Sequence, residues 1–258
     1  MAKEKRCKTA LSPSRLPGLK YSLNPYFGCC HGCKYCYVPN VLHVDRKKWE
    51  EVYVKVNIPM VLRKELKVKE RGIIGISTAT DPYQPLERKY EMTRKCLFLL
   101  LRHDFPIDIQ TKSDLVLRDI DLIKKFRNAA VGITITTLND EERKILEPNA
   151  PSIQRRLDAV KKLSEEGIYS YIFFGPIFPT VEKEELNYYV DVFKKTGAKE
   201  IMIDSLHLKK DTWHSISSVL PSKEKEIWRE RIFGDYYKKI FNEMERICRD
   251  KITLTRAF

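Results

Sequence analysis

Between residues 24 and 38 the chain reads Asn-Pro-Tyr-Phe-Gly-Cys-Cys-His-Gly-Cys-Lys-Tyr-Cys-Tyr-Val, and four of its seven cysteines fall within eight residues. Cys29, Cys33 and Cys36 give the spacing C-x3-C-x2-C, with Tyr35 directly before the last thiol. Three thiolates on one tight loop can hold three irons of a 4Fe-4S cube, because thiolate is the soft, charge-donating ligand such clusters require. The fourth iron then lacks a protein ligand and stands open to a small molecule. Structural zinc is the competing reading. It usually takes four ligands as two separated pairs, and although Cys30 or His31 could supply a fourth, no second pair lies downstream. A disulfide framework is disfavoured, because an odd cysteine count and a charged N-terminus without a secretion signal point to a reducing compartment. Cys30 is expected to pack behind the loop as a non-ligand, and His31 to shape the loop by hydrogen bonding. Cys96 and Cys248 fall in helical patterns and are read as small buried hydrophobes.

At 258 residues the chain can bury one substantial core. Its longest apolar runs, such as Cys96–Leu101 and Tyr169–Phe174, are too short to span a bilayer. These features predict a cytoplasmic enzyme with no membrane partner. The net charge of +13 favours polyanions, DNA or RNA first, through counterion release. A solvated lysine-rich surface of a heat-adapted protein accounts for the same charge, and the scarcity of glutamine (Gln84, Gln110 and Gln154 only) fits that reading.

Strands and helices alternate along the chain. Strands are predicted at Leu19–Leu23, Ile73–Ser77, Ile107–Gln110, Val131–Thr136, Ile168–Phe174 and Glu200–Asp204, with an accessory strand at Val52–Val56. Helices are predicted at Glu87–His103, Leu115–Asn128, Asp140–Leu146, Ser152–Glu166 and Val181–Lys195. Lys223–Asp250 is expected to be helical with a break near Gly234. Six βα units argue for a parallel sheet with helices outside, as a TIM-like barrel or an open α/β sheet. In such folds the working groups sit on loops at the C-terminal ends of the strands. This chain concentrates its unusual polar residues there: Thr78-Ala-Thr-Asp-Pro-Tyr-Gln-Pro85, Thr111-Lys-Ser113, Thr134 with Thr136, and Asp204-Ser-Leu-His207. Taken singly, each suits a turn or cap equally well.

The cysteine spacing with its preceding tyrosine resembles the signature of the radical S-adenosyl-L-methionine (radical SAM) superfamily. Four segments together resemble its spore photoproduct lyase-like branch, whose small members are often described as DNA repair photolyase-like: Asn24-Pro-Tyr-x-Gly-Cys-x-His-x-Cys-x-Tyr-Cys-Tyr, Thr80-Asp-Pro-Tyr-Gln-Pro-x-Glu, Thr111-Lys-Ser and Glu147-Pro-x-Ala-Pro-Ser. The likeness runs from about Tyr21 to Asp204. It implies an α/β fold, a partial (β/α)6 TIM-like barrel over residues 1–205 with an N-terminal cluster loop. Residues 206–258 would then be a mainly helical C-terminal extension packed on the same domain.

The resemblance also implies a 4Fe-4S cluster on Cys29, Cys33 and Cys36, with S-adenosyl-L-methionine chelated at the open iron and cleaved reductively to a 5′-deoxyadenosyl radical. By the same analogy Thr80, Asp81, Lys112 and Thr134 meet SAM and Tyr35 lines the adenine. The electron would come from an external donor such as a ferredoxin or flavodoxin. The substrate it points to is a nucleic-acid base. A peptide or small metabolite, or a non-catalytic metal-containing RNA-binding module, are the competing readings. One departure matters. The cysteine that donates hydrogen in the dimer-splitting enzyme falls on Thr78 here, and an O–H bond is a poor hydrogen donor to carbon radicals. The cofactor carries over more readily than the substrate.

Overall fold

Short apolar strands without a matching turn between them can pair only after a crossover, and this dictates the architecture. A computed structural model describes residues 3–257. Its strands are β1 (Lys3–Lys5), β2 (Leu11–Pro13), β3 (Tyr21–Leu23), β4 (Tyr26–Phe27), β5 (Tyr53–Lys55), β6 (Ile74–Ile76), β7 (Ile107–Thr111), β8 (Ala129–Thr134), β9 (Tyr169–Phe174), β10 (Glu200–Ile203) and β11 (Thr253–Arg256). The main sheet has the order β11-β10-β9-β8-β7-β6-β3-β2. Its neighbours are parallel throughout, except that β2 turns back antiparallel on β3. No ladder joins β11 to β2 among the described residues. The expected α/β fold with a central parallel sheet is therefore present. A small second sheet, β1-β5-β4, contains the accessory strand anticipated near residue 54.

Two-residue periodicity assigns the faces of this sheet. Ile107 and Ile109, Val131 and Ile133, Ile172 and Phe174, and Ile201 and Ile203 are buried in the main core. The alternate positions Asp108, Gln110, Thr134, Tyr171, Phe173 and Met202 line a cavity. Outside, Met92–Arg102 buries Met92, Cys96, Leu97 and Leu100, and Ile153–Glu165 buries Ile153, Ala159, Val160 and Leu163. Each fully buried aliphatic side chain contributes roughly 1.5–3 kcal/mol. Ser152 caps the second of these helices by accepting from Arg155 N, and Gly167 follows it at φ +75°, a left-handed turn that favours glycine.

Three of the differences from expectation bear on the frame of the sheet. The helix predicted over 87–103 is broken at Glu91, whose φ is +52°. The buried Glu87 carboxylate bridges the break, accepting from Thr93 N at 3.0 Å and Arg94 N at 3.2 Å. Leu115–Asn128 is not one helix but a 3-10 segment, Asp114–Asp119, followed by Ile120–Ile123. The tighter winding brings Asp119 inward, where Arg94, Arg118 and Tyr83 donate to it. Finally the tail supplies a seventh parallel strand, β11, beyond the six anticipated. Thr-Leu-Thr-Arg is half exposed and pairs on one side only, so it carries almost no periodic signal.

The tail is otherwise helical, with Ser222–Phe233 and Tyr236–Cys248 separated at Gly234. Trp228 is fully buried against Phe178 (ring centroids 5.8 Å), and Phe178 packs edge-on against Tyr35 at 5.3 Å. The tail thus supports the cysteine loop from behind.

Candidate active site

The cysteine loop leaves the C-terminal end of β3 through β4 and turns at Gly28. Its φ is +87°, and a Cβ there would lie 2.7 Å from the Trp49 carbonyl oxygen and 2.8 Å from that of Glu51, so only glycine fits. The Gly28 carbonyl accepts from Thr80 Oγ1 at 2.6 Å and Gln84 Nε2 at 3.3 Å. Cys29 N donates to Trp49 O, Cys30 N to Gln84 Oε1, and Lys34 N to Leu146 O. Asn149 closes the far side, its side chain donating to Cys30 O and its amide to His31 O. Cys30 is partly buried, packs on the main core and does not line the cavity. Cys96 and Cys248 are buried as well.

Beneath the loop lies a buried charged cluster. Glu147 and Arg156 are fully buried and paired, and Tyr35 donates its hydroxyl to the same carboxylate. Arg156 also donates to Thr134 O at 3.1 Å and Pro151 O at 3.0 Å. Burial raises the Tyr35 phenol well above its ordinary range and the Glu147 charge adds to this, so the hydroxyl stays a donor.

Cys29, Cys33, Cys36, Tyr35, Thr80, Asp81, Lys112 and Thr134, eight residues singled out from the sequence, all line one cavity of about 360 Å³. The fold brings them together from the loop after β3, the turn after β6, the end of β7 and the end of β8. Thr78 lines it too. Asp81 is tied down completely. Its carboxylate accepts from Tyr83 N (2.8 Å), Thr111 Oγ1 (2.6 Å) and Lys112 N (2.9 Å), and lies 3.2 Å from His31 Nε2. Burial opposes its charge, yet His31 and these donors hold it well below the usual carboxylate range. His31 also sits 3.3 Å from Asn149 O through Nδ1, the shaping role expected of it.

The other end of the cavity was not anticipated. Asp108, Gln110, Tyr171, Phe173 and Met202 face it from the strands. The signal was present in Ile107-Asp-Ile-Gln-Thr, where polar residues at every second position mark a face that is not packed on core. Tyr171 donates to Asp108 at 2.8 Å, but burial prevails and pushes the Asp108 carboxyl up to about 6.

The donor set fits an iron–sulfur cluster. Burial pushes the Cys33 thiol up to about 12, with Lys112 pulling the other way, and raises Cys29 and Cys36 too. Such thiols ionise only when a metal supplies the charge. A cube spreads its thiolates over separate irons, so three cysteines on one loop can hold it. Burial pushes the Lys112 ammonium down, but Cys33 and Glu147 outweigh it, so the net shift is up and Lys112 stays cationic.

A family model described as the Radical SAM superfamily matches residues 23–193. An uncharacterized protein of Methanocaldococcus jannaschii is 34% identical over 93% of this chain and 92% of its own length. A radical SAM Nα-GlyT isomerase of Pseudomonas phage M6 is 26% identical over 69% of this chain and 38% of its own. Among solved structures, spore photoproduct lyase complexed with dinucleoside spore photoproduct has a TM-score of 0.73 at 14% identity, over 99% of this chain and 81% of that one. Streptococcus suis SuiB bound to S-adenosylmethionine reaches 0.59 at 14% identity, over 92% and 49%. The chain belongs to the radical SAM superfamily and is a radical SAM enzyme, a family that works with SAM and an iron–sulfur cluster.

Proposed function

We propose that the protein cleaves SAM reductively and uses the resulting radical on a nucleic-acid base in DNA or RNA. The observation that carries this reading is the convergence of three loop thiols and five candidate SAM contacts on one cavity. Cys29, Cys33 and Cys36 would hold the cluster. Bound there, a 4Fe-4S cluster with SAM at its open iron would supply the electron from a ferredoxin or flavodoxin and release a 5′-deoxyadenosyl radical for hydrogen abstraction.

The chain's own residues orient the pieces. Lys112 offers a half-buried cation to the SAM carboxylate, Thr134 presents its side chain at the end of β8, and Tyr35 gives a ring edge held by Glu147. Thr80 and Asp81 act through the frame: one hydroxyl holds the Gly28 carbonyl and one carboxylate locks His31 to the end of β7. The packing of Trp228 through Phe178 onto Tyr35 supports treating residues 206–258 as an extension of the same domain.

Three features support the substrate. The net charge is +13, a similarly folded lyase is complexed with a dinucleoside, and the cavity wall carries Gln110 and Asp108, side chains suited to a base edge. A duplex base would have to leave its stack to reach them. Among the described residues no helix is long and apolar enough to cross a membrane.

The test is anaerobic cluster reconstitution followed by dithionite and SAM, with 5′-deoxyadenosine read by chromatography. Product from the wild type and none from Cys33→Ala is expected. Absence of product from a protein that loads zinc instead of iron overturns the reading. Stimulation of cleavage by oligonucleotides, declining with salt, is expected for the substrate class; stimulation only by a peptide or metabolite would replace it.

A further inference from the structure

The three cysteines also face outward. A second, small pocket of about 30 Å³ is lined by Cys29, Cys33 and Cys36 together with Gly32, Arg46, Trp49 and Glu50. Arg46 opens the short helix Arg46–Trp49, which Asp45 caps by accepting from Lys47 N and Lys48 N. Its Nη2 donates to Cys36 O at 2.5 Å and to Thr212 Oγ1 at 3.4 Å, so the planar guanidinium is held on that edge. Thr212 in turn donates to Asn40 Oδ1 at 3.2 Å, which fixes the second anchor.

The Nε–H has no such partner. It is buried, and no acceptor meets it among the described residues. A buried donor on a charged group left unsatisfied costs more than a neutral one. Yet the residue is braced in that position. Arg46 lines a pocket whose other polar side chains are the three thiols, the Trp49 indole and the Glu50 carboxylate.

We propose that Arg46 is a positioning residue for the iron–sulfur centre: its Nε–H is directed at the thiolate face of the cluster and, with its charge, raises the cluster's reduction potential. The inference rests on the function proposed above. Hydrogen bonds to the sulfurs and nearby charge are the levers by which a protein sets such a potential. A cation and a donor both favour the reduced, more negative state. Lys112 provides charge from the large cavity and Arg46 from the small pocket on the other side of the three cysteines.

The experiment is an electron paramagnetic resonance redox titration of the reconstituted wild type, Arg46→Gln and Arg46→Lys, with iron counted in each. Gln is neutral and shorter: its amide N–H takes the place of the Nε–H, while the charge and the Nη2 anchor to Cys36 O are lost; Lys keeps the charge and loses the Nε–H. The expected result for Arg46→Gln is at least a tenfold change in the one-electron equilibrium, a midpoint lower by about 59 mV or more. Arg46→Lys should fall in the same direction by less. A residue that merely braces the loop would lower the iron content and leave the potential of the loaded fraction unmoved, and that outcome overturns the proposal. Should Arg46→Gln lose its iron, an unchanged potential in Arg46→Lys overturns it equally. A wild type that assembles no four-iron cluster sinks the proposed function itself, and this inference with it. A wild type that loads normally while both variants keep its potential sinks the inference alone.

Discussion

Asp81 and Asp108 face the same cavity from opposite ends, and their surroundings differ sharply. Asp81 stands among donors from three segments of chain, and these outweigh its burial and keep it ionised. Asp108 has a single phenol donor, and burial raises it to about 6. Asp81 is therefore held in place at the loop end of the cavity. The strand end keeps unused hydrogen-bonding capacity, as a substrate-facing wall requires and a cofactor frame does not. That contrast fits general experience that a positioned frame must have its polar groups satisfied.

The contrast can be broken at either end. Asp81→Asn removes a buried charge from beside His31 and should cost about 3–5 kcal/mol in urea unfolding. That loss belongs to the pH range above the ordinary carboxylate value of 3.8 and shrinks as pH falls below it towards the depressed folded value, because the wild type gives up the same contribution on protonation.

Asp108 has the opposite sign. Its folded pKa is raised, so the native state holds the proton longer. The wild type should lose about 3 kcal/mol as pH rises from about 4 to about 6, the rise from 3.8 multiplied by 1.36 kcal/mol per unit. Asp108→Asn should flatten that slope and be the more stable protein at pH 7; urea melts across this range decide it. Tyr171→Phe gives the smallest effect, about 1–2 kcal/mol at pH 8, where Asp108 is ionised and loses its donor. It should also move the Asp108 midpoint above 6. A midpoint that stays or falls would mean that Tyr171 does not set this carboxyl.

Much of the frame was legible in the residues. The cluster loop is local, and its spacing and Gly28 are visible without any neighbour. The strands of the parallel sheet could be read from β-branched runs, and Ser152 and Gly167 mark the ends of their helix in the chain itself. Two of the misread elements have a common cause. Glu87 breaks a predicted helix because its carboxylate is buried beside Arg118, and Asp119 tightens another because Arg94, Arg118 and Tyr83 meet there. Apart from Arg118 beside Asp119, these partners are distant in sequence, so no local pattern reports them.

By itself the sequence determined the chemistry available: three soft ligands on one loop, a lysine, hydroxyls and carboxylates at strand ends, and strands short enough to need crossovers. These depend on residue type and spacing, which the chain carries locally. The tertiary structure alone decided which of those groups stay free. Asp81 and Thr80 became parts of the frame, Asp108 and Gln110 became the wall, the last strand joined the sheet, and Arg46 kept one buried donor without an acceptor. Such outcomes depend on burial and on partners many residues away, quantities that exist only once the sheet has brought the strand ends to one rim.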